Sequence, residues 1–104
     1  MIFITVKHLI RRRYADDWPE LVADFTAATR AEPGNLWFEW YRSVDDPNVY
    51  VLIEAFRDSA AGEAHVNSAH FKAAAEQLCN WLADVPEVVH VETPGDTWSR
   101  VSEG

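Results

Sequence analysis

Two histidines, His65 and His70, lie five positions apart in the segment EAHVNSAHF, residues 63–71. Histidine exchanges protons near neutral pH, so the pair suits acid–base catalysis or metal binding. On an uninterrupted helix this spacing places the two side chains about 140° apart, at about 100° per residue. The sequence has no HExxH pattern or cysteine cluster to complete a metal site, so we expect no bound metal. Acid–base catalysis is the leading interpretation, with a structural hydrogen bond to a carboxylate as the alternative.

Glu54 is a carboxylate within the apolar run VLIEAF, residues 51–56. A side chain in such a strand faces either a buried space or a partner. A buried carboxylate needs a hydrogen-bonding group or a proton, which His65 or His70 can supply. The sequence therefore predicts a contact between Glu54 and a histidine, and leaves structural and catalytic roles for it open.

The aromatic content is high, with five Trp, five Phe and three Tyr among 104 residues. Such residues form a core, a ligand pocket or a subunit interface, and core packing is the ordinary alternative for each of them. A planar phenolic substrate requires flat apolar walls and a few polar groups that orient and deprotonate its hydroxyl. The candidate substrate-binding residues are Asn35, Phe38, Trp40, Phe56, Phe71 and Trp81.

The elements that position these side chains follow from periodicity and from helix-capping and turn residues. Alternation and β-branched content predict four strands, over residues 2–10, 35–43, 48–56 and 86–95. Helical spacing predicts a first helix that Asp17 caps and that ends before the AEPG of residues 31–34. It also predicts a short helix over residues 58–66 and, after a break at Asn67-Ser68, a long helix over residues 69–84. The order β-α-β-β-α-β predicts an α+β, ferredoxin-like split βαβ fold with a four-stranded antiparallel sheet. We assign residues 1–95 to this domain and residues 96–104 to a C-terminal tail.

Helices on one side of such a sheet leave its other side uncovered. Several large apolar side chains are predicted on that uncovered side, where contact with water is unfavourable. A second copy of the sheet would cover them and form a barrel-like homodimer. These residues are Phe3, Leu9, Trp37, Tyr41, Val49, Val51 and Ile53.

The formal net charge of −8 argues against binding to nucleic acid or to an anionic membrane, because both require cationic surface. The cluster Arg11-Arg12-Arg13 is interpreted as a solvated strand end or loop, with an anion-steering patch as the alternative. Neither a signal peptide nor a membrane span is predicted, so the expected location is the cytoplasm. The single cysteine, Cys79, is expected to be a small buried apolar residue.

Three segments taken together resemble the antibiotic biosynthesis monooxygenase family of small dimeric α+β barrels. They are EPGNLWFEWYRSVDDP (residues 32–47), YVLIEAFRD (residues 50–58) and EAHVNSAHF, and the resemblance spans roughly residues 2–93. It implies a homodimer that oxidises a quinol-like or polycyclic phenolic molecule with molecular oxygen and without a cofactor. His65, His70 and Glu54 would then be the catalytic residues.

The resemblance also leaves alternatives open. Some family members isomerise or degrade small carbonyl metabolites, and a non-catalytic ligand-binding dimer has the same fold. The haem-degrading branch uses a histidine and a tryptophan where this chain has Ala75 and Phe56, so haem binding is not expected. The four glycines are scattered and form no dinucleotide fingerprint, so no flavin or nicotinamide is expected either.

Overall fold

The computed structural model describes residues 1–102, so residues 103 and 104 of the predicted tail lie outside the described part. The strands are β1 (Ile2–Leu9), β2 (Asn35–Arg42), β3 (Val49–Phe56) and β4 (Glu87–Glu92). The helices are α1 (Arg12–Ala15), α2 (Trp18–Leu21), α3 (Ala23–Arg30), α4 (Ser59–Val66) and α5 (Ala69–Trp81). The predicted strands and the predicted break between α4 and α5 are thus present.

The four strands form one antiparallel sheet in the order β2-β3-β1-β4, with helices packed on one face. Ile4 in the middle of β1 pairs with Glu54 on one side and with His90 on the other. Phe38 of β2 continues this row beyond Glu54. The predicted α+β fold and split βαβ order are therefore confirmed, and the sheet of the single chain is open at both edges.

The core lies between the sheet and the first helices. Trp18 is completely buried there among Ile10, Val22 and Tyr50. The Tyr50 hydroxyl donates a hydrogen bond of 2.8 Å to the carbonyl oxygen of Ala15, which ties the end of α1 to β3. Burial of the large indole at this place is a major source of stabilisation.

The predicted first helix begins after Asp17 and ends before residue 31, but it is divided at Val22 into α2 and α3, and a separate helix, α1, precedes it. Pro19 lies in the first turn of α2, as predicted. However, Pro19 has no N–H to donate to the carbonyl oxygen of Ala15, so one helix cannot continue through both residues. Tyr50 satisfies that carbonyl instead. Asp17 occupies the capping position, but its side chain makes no capping hydrogen bond.

Helix α5 also ends earlier than predicted, at Trp81, because Leu82 is extended and forms an isolated β-bridge with Ile10, just after β1. The expectation that Cys79 is buried is wrong: its thiol is exposed and donates a hydrogen bond to the carbonyl oxygen of Glu76. None of the thirteen residues of α5 is fully buried. The helix covers an internal space instead of a densely packed core.

The side of the sheet away from the helices is called the open face, and Phe3, Trp37, Tyr41, Val51 and Ile53 belong to it. Its side chains are half-buried or exposed, with Tyr41 at 53% exposure. The described tail reaches this face, since the ring of Trp98 lies 5.5 Å from the ring of Trp37. The tail leaves most of the apolar surface uncovered.

Candidate active site

The junction between α4 and α5 positions both histidines. The Ser68 hydroxyl donates a hydrogen bond of 2.6 Å to the carbonyl oxygen of His65 and accepts one of 3.2 Å from the N–H of Phe71. One side chain therefore joins the last turn of α4, which carries His65, to the first turn of α5, which carries His70. The two imidazole rings are 6.0 Å apart. The angular argument against a shared partner does not apply, because the histidines belong to different helices.

The shared partner is Glu32, which the sequence analysis missed. Its Oε2 lies 2.7 Å from His65 Nδ1 and 2.6 Å from His70 Nε2. Both rings donate N–H groups to it, because an ionised carboxylate can only accept. The available signal was topological: Glu32 shortly precedes β2, whose first residue, Asn35, pairs with the last residue of β3, close to where α4 begins.

Gly34 allows α4 to approach the turn that carries Glu32. A Cβ atom at position 34 would lie 2.3 Å from Cβ of Ala61, a distance that no side-chain adjustment relieves. The N–H of Arg57 donates a hydrogen bond of 2.8 Å to the carbonyl oxygen of Gly34, which fixes the same approach. Asp58 caps α4 by accepting a hydrogen bond from the N–H of Ala61. The position of His65 thus depends on the small size of residue 34.

The orientation of His65 determines which of its atoms can react. Its side chain is 4% exposed, and its ring is surrounded by four phenylalanine rings at centroid distances of 4.8 to 6.3 Å. When the ring is neutral and Nδ1 donates its proton to Glu32, Nε2 is an acceptor. This Nε2 lies 3.9 Å from Glu54 Oε1. The arrangement of carboxylate, imidazole and open acceptor is that of an oriented general base.

Glu54 is 6% exposed and belongs to the helix-facing side of β3. Burial raises its pKa from the ordinary 4.5 to about 7, and the negative charge of Glu32 adds to the rise. Near neutral pH a substantial fraction of Glu54 therefore retains its proton. A carboxyl that retains its proton beside an imidazole nitrogen places a potential acid next to a potential base.

A cavity of about 420 Å³ lies between the sheet and α5 and is bordered by both Glu54 and His65. Val66 and Phe71, from the EAHVNSAHF segment, also line it. Its walls are mainly apolar, and its polar lining residues are His8, Glu54, His65 and His90. The remaining walls include Ile4, Val6, Val22, Phe25, Trp40, Leu52, Phe56, Ala74, Ala75, Leu78 and Val88.

His8 is a second site residue that the sequence analysis missed. Burial lowers its pKa to about 4, so the ring is neutral, and its Nδ1 makes no hydrogen bond within residues 1–102. The ring packs against Trp40 at 5.1 Å and Trp18 at 5.9 Å. Its even position on β1, in step with Ile4 and Val6, was the signal that it faces the helices. The ring of His8 thus lines the cavity, while its Nδ1 is shielded from solvent.

The six candidate substrate-binding residues divide between the cavity and its surroundings. Trp40, Phe56 and Phe71 line the cavity. Phe38 is completely buried and packs edge-to-face on Phe25, and Trp81 packs on Trp18 outside the cavity. The Asn35 amide donates to the carbonyl oxygens of Trp37 and Ala55, where it supports an irregular register between β2 and β3. His70 also lies outside the lining and reaches the site through Glu32.

The sequence and the fold of the chain are similar to those of known proteins. The family model described as antibiotic biosynthesis monooxygenase matches residues 1–77. The chain belongs to the antibiotic biosynthesis monooxygenase family. Within residues 1–102 of this family member, no helix is both long enough and apolar enough to cross a membrane.

Several relatives support this assignment. The candidate monooxygenase YcnE of Bacillus subtilis is 29% identical over 90 residues, which cover 86% of this chain and 90% of YcnE. A candidate antibiotic biosynthesis monooxygenase from Nitrosomonas europaea is 25% identical, with a TM-score of 0.81 over 89% of this chain and 98% of that one. A similarly named protein from Caulobacter crescentus, 22% identical with a TM-score of 0.84, covers 90% of each chain and shares the fold.

Proposed function

We propose that the protein is a cofactor-independent monooxygenase that oxidises a polycyclic phenolic or quinol-like molecule with molecular oxygen. The observation that carries the proposal is His65, fixed by Glu32 through Nδ1, beside a mainly apolar cavity that also contacts Glu54. The names of its relatives agree with this class of reaction.

The volume of the cavity and the spacing of its polar lining residues suit an aromatic substrate with polar groups at both ends. Its volume of about 420 Å³ lies within the roughly 300–1,000 Å³ of small-molecule sites. Glu54 pairs with Ile4, and His8 lies four residues farther along β1, which corresponds to roughly 13 Å. A fused-ring molecule can place one oxygen near His65 and Glu54 and a second polar group near His8. Trp40, which pairs with Leu52 of β3, provides aromatic wall between these ends.

In the proposed reaction His65 Nε2 removes a proton from the substrate, and Glu32 stabilises the imidazolium that results. The substrate anion is a strong electron donor within the mainly apolar cavity. It transfers an electron to oxygen, and the two radicals combine to a carbon-bound peroxide that takes up a proton from Glu54. For an anthrone-type substrate, loss of water then converts the methylene to a carbonyl. One oxygen atom enters the product, and the other leaves as water with the two methylene hydrogens.

The test is oxygen uptake on a panel of quinols, anthrones and related phenols, followed with an oxygen electrode and with product mass. His65→Gln should lower kcat/KM by at least about 100-fold, the usual contribution of a general base. Glu63→Gln is the matched control, because Glu63 is exposed on the same helix and lies outside the cavity lining. Equal turnover by wild type and His65→Gln would refute the assignment of the base.

An acid–base pair on one cavity also suits the isomerisation or degradation of a small carbonyl metabolite. The short distance between the proposed base, His65 Nε2, and the proposed acid, Glu54 Oε1, favours this second candidate. Turnover of such a compound without oxygen uptake would select it. Tight binding of a phenol with no turnover of either kind would instead indicate a ligand-binding protein.

The proposal includes a homodimer and a cytoplasmic location. A second copy packed on the open face would remove Phe3, Val51 and Ile53 from water, and the net charge of −8 gives no reason to expect a nucleic-acid or membrane partner. Light scattering at micromolar concentration tests the assembly, and fractionation of the source cells tests the location.

A further inference from the structure

Glu32, His65 and His70 bring three metal-binding atoms together from three separate parts of the chain. One carboxylate oxygen, one Nδ1 and one Nε2 all lie within 4.8 Å of one another. Glu32 comes from the turn before β2, His65 from the end of α4 and His70 from the start of α5. Two imidazoles and one carboxylate form a donor set that binds zinc and non-haem iron in many proteins.

We propose that these three residues bind a divalent transition-metal cation such as Zn²⁺ or Fe²⁺. Imidazole nitrogen is preferred by such cations, whereas Mg²⁺ and Ca²⁺ require sets of oxygen ligands. Three protein ligands leave at least one coordination position for water or another small molecule.

The site can accept a cation with small movements. Ligand atoms at 2.0–2.1 Å from a tetrahedral metal are about 3.3 Å apart, so the contacts of 2.6 and 2.7 Å from Glu32 must lengthen, and the two histidine nitrogens, which lie within 4.8 Å of each other, must reach the same spacing. The side chains of Glu32 and His70 are 14% and 26% exposed, which gives a cation access from solvent. His65 is almost fully buried and forms the fixed part of the site.

Glu54 is placed to support the bound state. Metal binding at Nδ1 of His65 leaves the ring proton on Nε2, which lies 3.9 Å from Glu54 Oε1. A ligating histidine that donates its other N–H to a carboxylate is the usual outer arrangement of metal sites. His65 thus has a carboxylate beside each ring nitrogen. Glu32, beside Nδ1, would bind the same metal ion, and Glu54, beside Nε2, would accept the remaining N–H.

The same chemistry makes the cation an inhibitor of the proposed reaction. This consequence rests on the proposed function, because it uses His65 Nε2 as the base. When Nδ1 binds a metal, Nε2 carries the ring proton and can no longer accept one from the substrate. Metal binding and metal-free oxidation therefore exclude each other.

The experiment is a calorimetric titration of the chelator-stripped protein with ZnCl₂, repeated with MgCl₂, and an absorption spectrum with CoCl₂. We expect one Zn²⁺ per chain, no saturable Mg²⁺ binding, and a visible Co²⁺ spectrum typical of nitrogen and oxygen ligands. Glu54→Gln removes a carboxylate outside the ligand set and should weaken Zn²⁺ binding by about 10–100-fold. Glu32→Gln and His70→Gln each remove a ligand and should weaken it by more. Glu63→Gln, which alters an exposed carboxylate on α4, should bind like wild type.

Absence of saturable Zn²⁺ binding, or equal affinity in wild type, Glu32→Gln and His70→Gln, would overturn the site. Circular dichroism spectra establish that each variant is folded before its Zn²⁺ affinity is compared with that of wild type. These readouts need no substrate, so their failure is distinct from failure of the oxidation. With an active substrate, Zn²⁺ should abolish turnover at one equivalent per chain, and full turnover of the Zn²⁺-saturated protein would overturn the inhibition.

Discussion

Replacing Glu54 by glutamine should change how stability depends on pH. The folded protein keeps a proton on Glu54 up to about pH 7, whereas the unfolded chain releases it near the ordinary pKa of 4.5. Across this window the folded state binds more protons than the unfolded state, so the free energy of unfolding falls as pH rises. The shift from 4.5 to about 7 corresponds to about 3 kcal/mol at 1.36 kcal/mol per pKa unit. A glutamine side chain cannot ionise, so the variant escapes this loss.

The assay is urea unfolding of wild type and Glu54→Gln from about pH 5 to about pH 8, in chelator. Linkage predicts that the variant gains about 2.5 kcal/mol on wild type over this range, with little difference at the acid end. Glu63→Gln is the control, since its exposed carboxylate should produce no such trend. A constant difference between Glu54→Gln and wild type at every pH would refute the reasoning. Glu54 would then ionise like a surface carboxylate and could not be the acid of the proposed reaction.

Three further outcomes follow from other parts of the structure. The pKa of His8 is lowered to about 4, so the unfolded state binds the proton more readily than the folded state. Between about pH 6.5 and pH 4 the free energy of unfolding of wild type should therefore fall by about 3 kcal/mol relative to His8→Phe. An equal pH dependence of the two proteins in urea unfolding would contradict the burial of a neutral ring. Gly34→Ala should cost about 1–3 kcal/mol through overlap with α4, whereas Gly62→Ala, with open space around its Cβ, should be neutral or stabilising by roughly 0.5–1 kcal/mol. Thermal unfolding distinguishes the two glycines, and equal effects would argue against the close approach. Val51→Glu places a charge on the open face and should convert the proposed homodimer to monomers, as measured by light scattering. Val44→Glu, in the exposed hairpin turn, is the control and should leave the mass unchanged. A monomeric wild type would refute the dimer itself.

Much of the fold was predictable, because strand alternation and capping residues act locally. The runs that became β2 and β3 carry aromatic and β-branched side chains in alternation, and Ser68 marks the break before α5 by its capping chemistry. The first helix was predicted to begin after Asp17, where α2 does begin, but its division at Val22 and the separate helix α1 were not predicted. The end of α1 depends on a distant residue, because the carbonyl oxygen of Ala15 accepts a hydrogen bond from the hydroxyl of Tyr50, 35 residues away.

The candidate site shows the same division between local and distant information. The sequence by itself determined that Glu54 is a carboxylate in an apolar strand and that His65 and His70 flank a helix break. Only the tertiary structure decided their closest partner, Glu32, because it is 33 residues from His65 and 38 from His70. It likewise decided that His8 faces the cavity and that Phe38, Trp81 and Asn35 lie outside its lining. Residue type and periodicity specify which face a side chain occupies, whereas the meeting of side chains from separate elements depends on how those elements pack.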